Sequence, residues 1–326
     1  DMIYLTSIDG DKLVLIGANT AGKEIWRQTL ATGNRDVRND EGNSASPSPC
    51  TDGKHVWAFF ANGVLGCYTW DGKEVWKLDV QDRYGKLNIA FGMTSTPVLD
   101  NGRLYLQLIH GEGDPKTREA KVICLDGLTG KEVWQHDRVS DGKAECEHSY
   151  ASPILYRDDK QSYLISHGAD YVTAHSLDDG HELWRCGDLN PKGTYNNTLR
   201  FVASPVAAEG IIVVPSAKNG PVFALKADAK GDVTENEAAY AWKRPKETPD
   251  VPSPLIVDGL VYLCRENGNL ICMDAKTGEE YYNERTTADR HRASPVYADG
   301  KIYLCARKGV VTVVKALPSG SHRAAS

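Results

Sequence analysis

Cys124-Leu125-Asp126-Gly127-Leu128-Thr129-Gly130-Lys131-Glu132-Val133-Trp134 is the stretch on which the fold turns. An apolar strand end runs into an Asp-initiated turn. A glycine closes that turn, and an apolar-Trp pair opens the next strand. The tract recurs as A-G-K-E-I-W ending at Trp26, D-G-K-E-V-W at Trp76 and D-G-H-E-L-W at Trp184, with the variant T-G-E-E-Y-Y at Tyr282. A fifth copy is interrupted by an insertion from Asp228 to Ala239, after which Tyr240-Ala241-Trp242 resumes the pattern. Self-similarity at such a period signals stacked supersecondary units.

A second tract opens each unit: Ser46-Pro47, Thr96-Pro97, Ser152-Pro153, Ser204-Pro205, Ser253-Pro254 and Ser294-Pro295, spaced by roughly 40 to 56 residues. The unit from Pro254 reads as four short strands. Pro254 to Val257 is the first, and Asp258-Gly259 turns it, because Asp-Gly accepts the positive φ values of a type I′ hairpin. Leu260 to Cys264, Leu270 to Asp274 and a strand beginning at Tyr281-Tyr282 follow. Continuous apolar runs such as Ile211-Ile212-Val213-Val214 suit strands covered on both faces. The expected fold is therefore all-β, a β-propeller of seven four-stranded blades (eight being the alternative), forming one domain over residues 1–326.

His322-Arg323-Ala324-Ala325-Ser326 repeats the lead-in at His291-Arg292-Ala293-Ser294, and Asp1 to Leu5 matches Gly300 to Leu304. On this reading the C-terminal segment leads into the sheet that the N-terminus begins, and strands from both termini close the ring. No separate fourth strand is evident after Val310 to Lys315.

The 326 residues carry a net charge of −6, which argues against a nucleic-acid partner, since phosphate binding calls for a basic face. No run approaches the roughly 20 apolar residues of a membrane helix, and no signal peptide is visible. Of eight cysteines, Cys67, Cys124, Cys264, Cys272 and Cys305 fall in predicted strands, where a thiol serves as a small hydrophobe. Cys146 and Cys186 are placed in loops and expected to be the most reactive.

The tracts around Trp134 and at Cys272-Met273-Asp274-Ala275-Lys276-Thr277-Gly278 resemble the pyrroloquinoline-quinone-like repeat propellers, whose signature is Ala-x-Asp-x-x-Thr-Gly-Lys-x-x-Trp. That family includes quinoprotein dehydrogenases, the scaffold lipoprotein of outer-membrane protein assembly (BamB) and many bacterial extracytoplasmic propellers, the last being the group this chain resembles most. The resemblance implies a monomeric, non-enzymatic binding or scaffold protein, periplasmic or secreted, with a protein or glycan partner. An enzyme, either a reduced quinoprotein or a carbohydrate-active propeller, is the alternative. The dehydrogenases carry adjacent cysteines and a calcium-side Asp; no Cys-Cys pair occurs here, so neither quinone nor calcium is expected as cofactor.

Loops on a rigid scaffold carry function disproportionately. The positions before the turns joining strands two and three include Asn62, His110, His167, Asn219 and Asn267, while those four before each opener include His148, Arg200, Arg290 and His322. With Tyr150, His291 and Arg323 beside them, this set crowds His and Arg onto the loop face around the channel mouth, suited to anionic or hydroxyl-rich ligands. The same histidines would equally serve as hydrogen-bonding pins at strand ends, and Asn before Gly is ordinary turn chemistry. The loop His110-Gly111-Glu112-Gly113-Asp114 offers imidazole and carboxylates to a metal, but its glycines favour a plain surface loop. No nucleophile elbow, Walker loop, H-E-x-x-H or C-x-x-C occurs.

Trp26, Trp76, Trp134, Trp184 and Trp242 recur once per unit beside the turn glycine and are read as blade-docking residues. A Trp buries about 150–250 Å², an upper bound of roughly 4–6 kcal/mol. Trp134→Ala is expected to cost about 3–5 kcal/mol of stability, read from the midpoint of a urea unfolding curve.

Overall fold

A computed structural model describes residues 1–36, 42–111 and 119–318 and the strand Arg323–Ala324, without the side chains of Glu119, Arg323 and Ala324. The fold is all-β: seven antiparallel sheets, five of them four-stranded, one with three strands and one with five. The chain divides into two compact units. One comprises Asp1–Val139, Glu147–Pro153 and Asp178–His181, and the other Ser140–Cys146, Ile154–Leu177 and Glu182–Ser326. Among the described residues no helix is long and apolar enough to cross a membrane.

The first unit holds three sheets. The first is Met2–Asp9, Lys12–Asn19 and Glu24–Thr32; the second is Cys50–Thr51, His55–Phe59, Val64–Thr69 and Glu74–Asp79; the third is Val98–Asp100, Arg103–His110, Glu119–Asp126 and Glu132–Asp137. Leu13, Leu15 and Leu30 of the first sheet meet Val56, Ala58 and Tyr68 of the second, with Phe60 just past its second strand, in one buried cluster.

What joins these sheets at their outer edge is the repeat tract itself. Trp26 donates its indole N–H to the Trp70 carbonyl at 3.1 Å, and a Cβ at Gly72 would lie 2.6 Å from its ring. Trp76 donates to the Gly127 carbonyl at 2.8 Å and lies on Gly130, where a Cβ would meet the ring at 3.0 Å. Trp134 covers Gly180 in the same way, at 2.5 Å. Each tract is therefore a socket, through its glycine, and a knob, through its tryptophan. The glycines also have φ of 88°, 64° and 79°, the left-handed region that a side chain resists.

The second unit holds four sheets. The fourth is Ile154–Arg157, Ser162–Gly168, Tyr171–His175 and Glu182–Cys186, extended by Gly231–Asp232. The fifth is Val206–Ala208, Ile211–Pro215, Val222–Lys226 and Tyr240–Arg244. The sixth is Leu255–Val257, Leu260–Cys264, Asn269–Asp274 and Glu280–Arg285, and the seventh is Val296–Ala298, Lys301–Cys305, Val311–Lys315 and Arg323–Ala324. Buried clusters fill the gaps between the fourth and fifth sheets, the fifth and sixth, and the sixth and seventh. Trp242 repeats the lock, donating to the Ala275 carbonyl at 2.9 Å and lying on Gly278.

The openers form a second set of ties. The Ser48 amide donates to the Thr96 hydroxyl and the Thr96 amide to Ser152. In the other unit the Ser204 amide donates to Ser253, and the Ser253 amide to Ser294. Each hydroxyl thus accepts from the backbone of the preceding sheet's opener. These bonds place the second opener at Ser48-Pro49, two residues beyond the Ser46-Pro47 pair chosen by sequence.

The termini differ from the sequence reading. Arg323–Ala324 pairs with Val311–Lys315, with Val313 opposite Ala324, and so completes the seventh sheet; the N-terminal sheet keeps three strands. Val311–Lys315 has no fourth strand directly after its turn, and its open edge takes up this segment.

None of the eight cysteines is bonded to another. Cys146 and Cys186, expected to be reactive, are fully buried, and burial pushes both thiols up to about 11. Cys186 is the last residue of a strand and Cys146 lies in a short 3-10 turn; Cys305 is the exposed thiol.

The knob-and-socket account separates two glycine effects. Gly130→Ala combines backbone strain with a clash against Trp76, whereas Gly210→Ala has comparable φ (83°) and no atom within 4 Å. Gly210→Ala should cost about 1–2 kcal/mol, and Gly130→Ala a further 1–3 kcal/mol, roughly, from overpacking, as measured by paired urea midpoints.

Candidate functional site

In the first unit His110, His148 and Tyr150 come together, but inside the protein. His110 ends its strand at 1% exposure, and its Nδ1 accepts the Asn88 amide at 3.3 Å. Burial, followed by the neighbouring His148, lowers its pKa to about 4. The His148 ring nitrogen Nε2 bonds the Gly111 carbonyl, and its ring meets Tyr150 edge-on at 6.2 Å. The Tyr150 carbonyl accepts the Thr94 hydroxyl at 2.8 Å. Glu112 and Asp114, the carboxylates of the metal reading, lie outside the described residues.

In the second unit His167 is fully buried with its ring edge-on to Phe201 at 4.9 Å. Arg200 forms an ion pair with Glu145. His291 is buried, with Nδ1 3.1 Å from the Asp289 carbonyl. Arg290 bonds Glu266 at 3.0 Å and lines a cavity of about 310 Å³ with Asn267 and Arg285. His322 and the Arg323 side chain lie outside the described residues. Among the described residues no three His, Cys, Asp or Glu side chains are grouped as metal ligands.

A larger cavity, about 770 Å³, lies wholly within the second unit, and nothing in the sequence reading located it. Its origin is the insertion in the fifth repeat. Gly231–Asp232 turns back and pairs in parallel with the last strand of the fourth sheet, Trp184 opposite Gly231 and Arg185 opposite Asp232. Val233 buries its side chain in the core and donates to the Arg185 carbonyl at 2.9 Å. The Thr234 hydroxyl accepts the Gly187 amide at 2.9 Å. So pinned, the insertion presents Asp232, Thr234 and Glu235 as one wall; Asp188, Asn190, Lys192 and Tyr195 form another, and Asp141, Lys143, Asp170 and Tyr171 the floor.

The lining is acidic: Asp141, Asp170, Asp188, Asp232 and Glu235 stand against Lys143 and Lys192. Asp170, 5% exposed, accepts hydrogen bonds from the Tyr195 hydroxyl and the Asn190 amide. Burial alone would raise the Asp141 carboxyl, but the Tyr171 hydroxyl and the Lys192 ammonium outweigh it, and Asp141 titrates below the usual range. At Asp232 burial is likewise outweighed, there by the Thr234 hydroxyl and amide. Burial and the bond to Asp141 push the Tyr171 phenol up to about 12. At neutral pH Asp141 and Asp232 are therefore ionised beside the neutral Tyr171 phenol. Arg185 stacks over the Tyr171 ring at 5.1 Å and fixes it.

The repeat family described as outer membrane protein assembly factor BamB matches residues 10–281 and 235–318. The chain belongs to this BamB family. Solved structures show the corresponding propeller fold. BamB from Moraxella catarrhalis is similar at 14% identity and a TM-score of 0.61, over 96% of this chain and 78% of that one. The computationally designed Ika8 protein is similar at 13% identity and 0.62, over 99% and 86%. A europium-containing methanol dehydrogenase is similar at 13% identity and 0.65, over 96% and 71%. At these identities the likeness concerns the fold alone. No curated protein sequence matches the chain.

Within this BamB-family chain the buried histidine pin makes a pH prediction. His110 is neutral when folded down to about pH 4, while the unfolded residue takes its proton near 6.5. Protons therefore favour the unfolded chain between those values, and stability falls as pH drops from 6.5 towards 4. His110→Gln, which keeps an acceptor for the Asn88 amide, should show a shallower acid slope across that window in urea midpoints taken at pH 7, 6, 5 and 4.

Proposed function

We propose that this BamB-family chain is a non-enzymatic binding or scaffold propeller of the bacterial cell envelope, and that its acidic cavity seats a cationic segment of a protein partner. The observation that carries this reading is that the insertion interrupting the fifth repeat, Asp228 to Ala239, forms a wall of a cavity of about 770 Å³. Repeat residues are committed to holding sheets together; residues outside the repeat are free to diverge towards a ligand. An excess of carboxylates over lysines suits lysine or arginine side chains, and the flank of Tyr171 suits an apolar or guanidinium group beside them. The family name speaks for an assembly role, and an assembly factor needs a face that holds another chain rather than one that turns over a substrate.

A glycan is the other partner compatible with a tyrosine-lined, acceptor-rich cavity, and it would be held mainly by neutral hydrogen bonds. Salt distinguishes the two. Isothermal titration of a lysine- and arginine-rich heptapeptide, and separately of a neutral oligosaccharide, should give measurable affinity for the peptide, weakening as NaCl rises. Asp188→Asn combined with Glu235→Gln should weaken the peptide about three- to tenfold, the effect of removing two exposed charges, with the unfolding midpoint unchanged. Salt-independent binding of the oligosaccharide, with no binding of the peptide, would replace the protein partner by a glycan. Bound chromophore and dye reduction after addition of quinone and calcium would replace the scaffold reading by an enzymatic one.

A further inference from the structure

The acidic cavity of the second unit already holds one cation, and it is the chain's own. The Lys192 ammonium lies 3.3 Å from the Asp141 carboxylate, and both residues line the cavity, one on the loop wall and the other on the floor. The ion pair therefore bridges the space that an incoming side chain would enter. The same ammonium acts on the opposite wall. At Asp232 burial raises the carboxyl, but Thr234 outweighs it, and Arg185 and then Lys192 lower it further. We propose that Lys192 is a built-in competitor, seated where a lysine or arginine of the partner binds, and that the partner displaces it. This rests on the cavity's taking a cationic segment.

The loop that carries Lys192 does not need this ion pair, because other bonds fix its ends. Asn190, 3% exposed, accepts the Asn196 amide at 3.0 Å and donates to the Asn196 carbonyl at 3.1 Å, so one side chain clamps residues 190–196 into a closed loop. The Tyr195 hydroxyl donates to Asp170 and accepts the Lys143 amide at 3.0 Å. Between these pins the tip, Lys192–Thr194, is a single 3-10 turn, and no atom lies within 4 Å of the Cβ position at Gly193. The Lys192 side chain is 83% exposed and that of Asp141 55%. An ion pair so exposed adds little to stability, and a cation brought by a partner replaces it at little cost. Lys143, the other lysine of the lining, has no ion pair among the described residues. It contributes the same charge to the cavity without occupying the Asp141 seat.

The test is isothermal titration of the lysine- and arginine-rich heptapeptide into the full chain at low salt. Lys192→Met should raise affinity about three- to fivefold, the scale of an exposed ion pair. Lys143→Met removes the same charge from the same lining and should raise affinity less than about twofold, because solvent screens a charge that is away from the seat. In an Asp141→Asn background the seat is gone, and Lys192→Met should add nothing, a coupling that net charge alone does not produce. In the full chain labelled with ¹³C-lysine, the Lys192 ε-methylene signal should move on peptide addition towards its position in Asp141→Asn. Equal gains from Lys192→Met and Lys143→Met, a gain that persists with Asp141→Asn, or a Lys192 signal unmoved at saturation overturns the competitor while the cationic partner stands. No binding of the peptide to any of these chains overturns both.

Discussion

An indole lying flat on a glycine turn is the contact on which the outer edges of the sheets depend. It works because two demands meet in one residue. The turn needs a positive φ to send the strand back, and the neighbouring tryptophan needs the space that a Cβ would fill. At Gly72 and Gly278 both demands are visible at once. The indole N–H then finds a turn carbonyl at 2.8 to 3.1 Å, so the large apolar ring is buried without stranding its polar end. The opener hydroxyls tie the sheets at the other end of the unit, each accepting a backbone amide from the opener of the preceding sheet. Between these ties the clusters of branched and aromatic side chains fill in with little further specification.

This division of labour explains what could be read from the sequence. Trp134 and Gly130 were legible because the same spacing recurs, and recurrence is hard to reconcile with anything except a shared structural duty. The openers were legible as a period, though only the hydrogen bonds show why Ser48 rather than Ser46 heads the second sheet. The His and Arg set was less legible. Sequence places His110, His148, His167 and His291 at loop-facing positions, but the side chain at such a position can turn outward to a ligand or inward to a carbonyl. The local spacing is identical in both cases. Here the histidines turn inward: His148 and His291 meet carbonyls, His110 accepts a backbone amide and His167 packs on Phe201, while Arg290 stays at the rim of a cavity.

The acidic cavity was not legible because no repeat encodes it. The insertion was visible as an interruption, but its path could not be derived from its residues. Gly231–Asp232 pairs in parallel with a strand of the preceding sheet, an arrangement with no local hairpin signal. Asp141, Asp188 and Asp232 are far apart in sequence, and each alone reads as a solvated loop residue.

The insertion also carries a structural cost, and the way that cost is met argues for its role. By lengthening the turn of the fifth repeat it removes the glycine socket on which Trp184 would land. The junction is held by other means: the Tyr163 hydroxyl and the Gln161 amide both donate to the Ala227 carbonyl, at 2.7 and 2.8 Å. Trp184 turns edge-on to Tyr163 at 6.0 Å. Gly231 then returns as the ladder partner of Trp184, but with no atom within 4 Å of its Cβ position it takes no indole. A change that needs this much local replacement is not a passive loop extension. The same twelve residues that displace the lock supply Asp232, Thr234 and Glu235 to the cavity, and the bonds at Ala227, the ladder at Gly231 and the Gly187–Thr234 bond hold that wall in place.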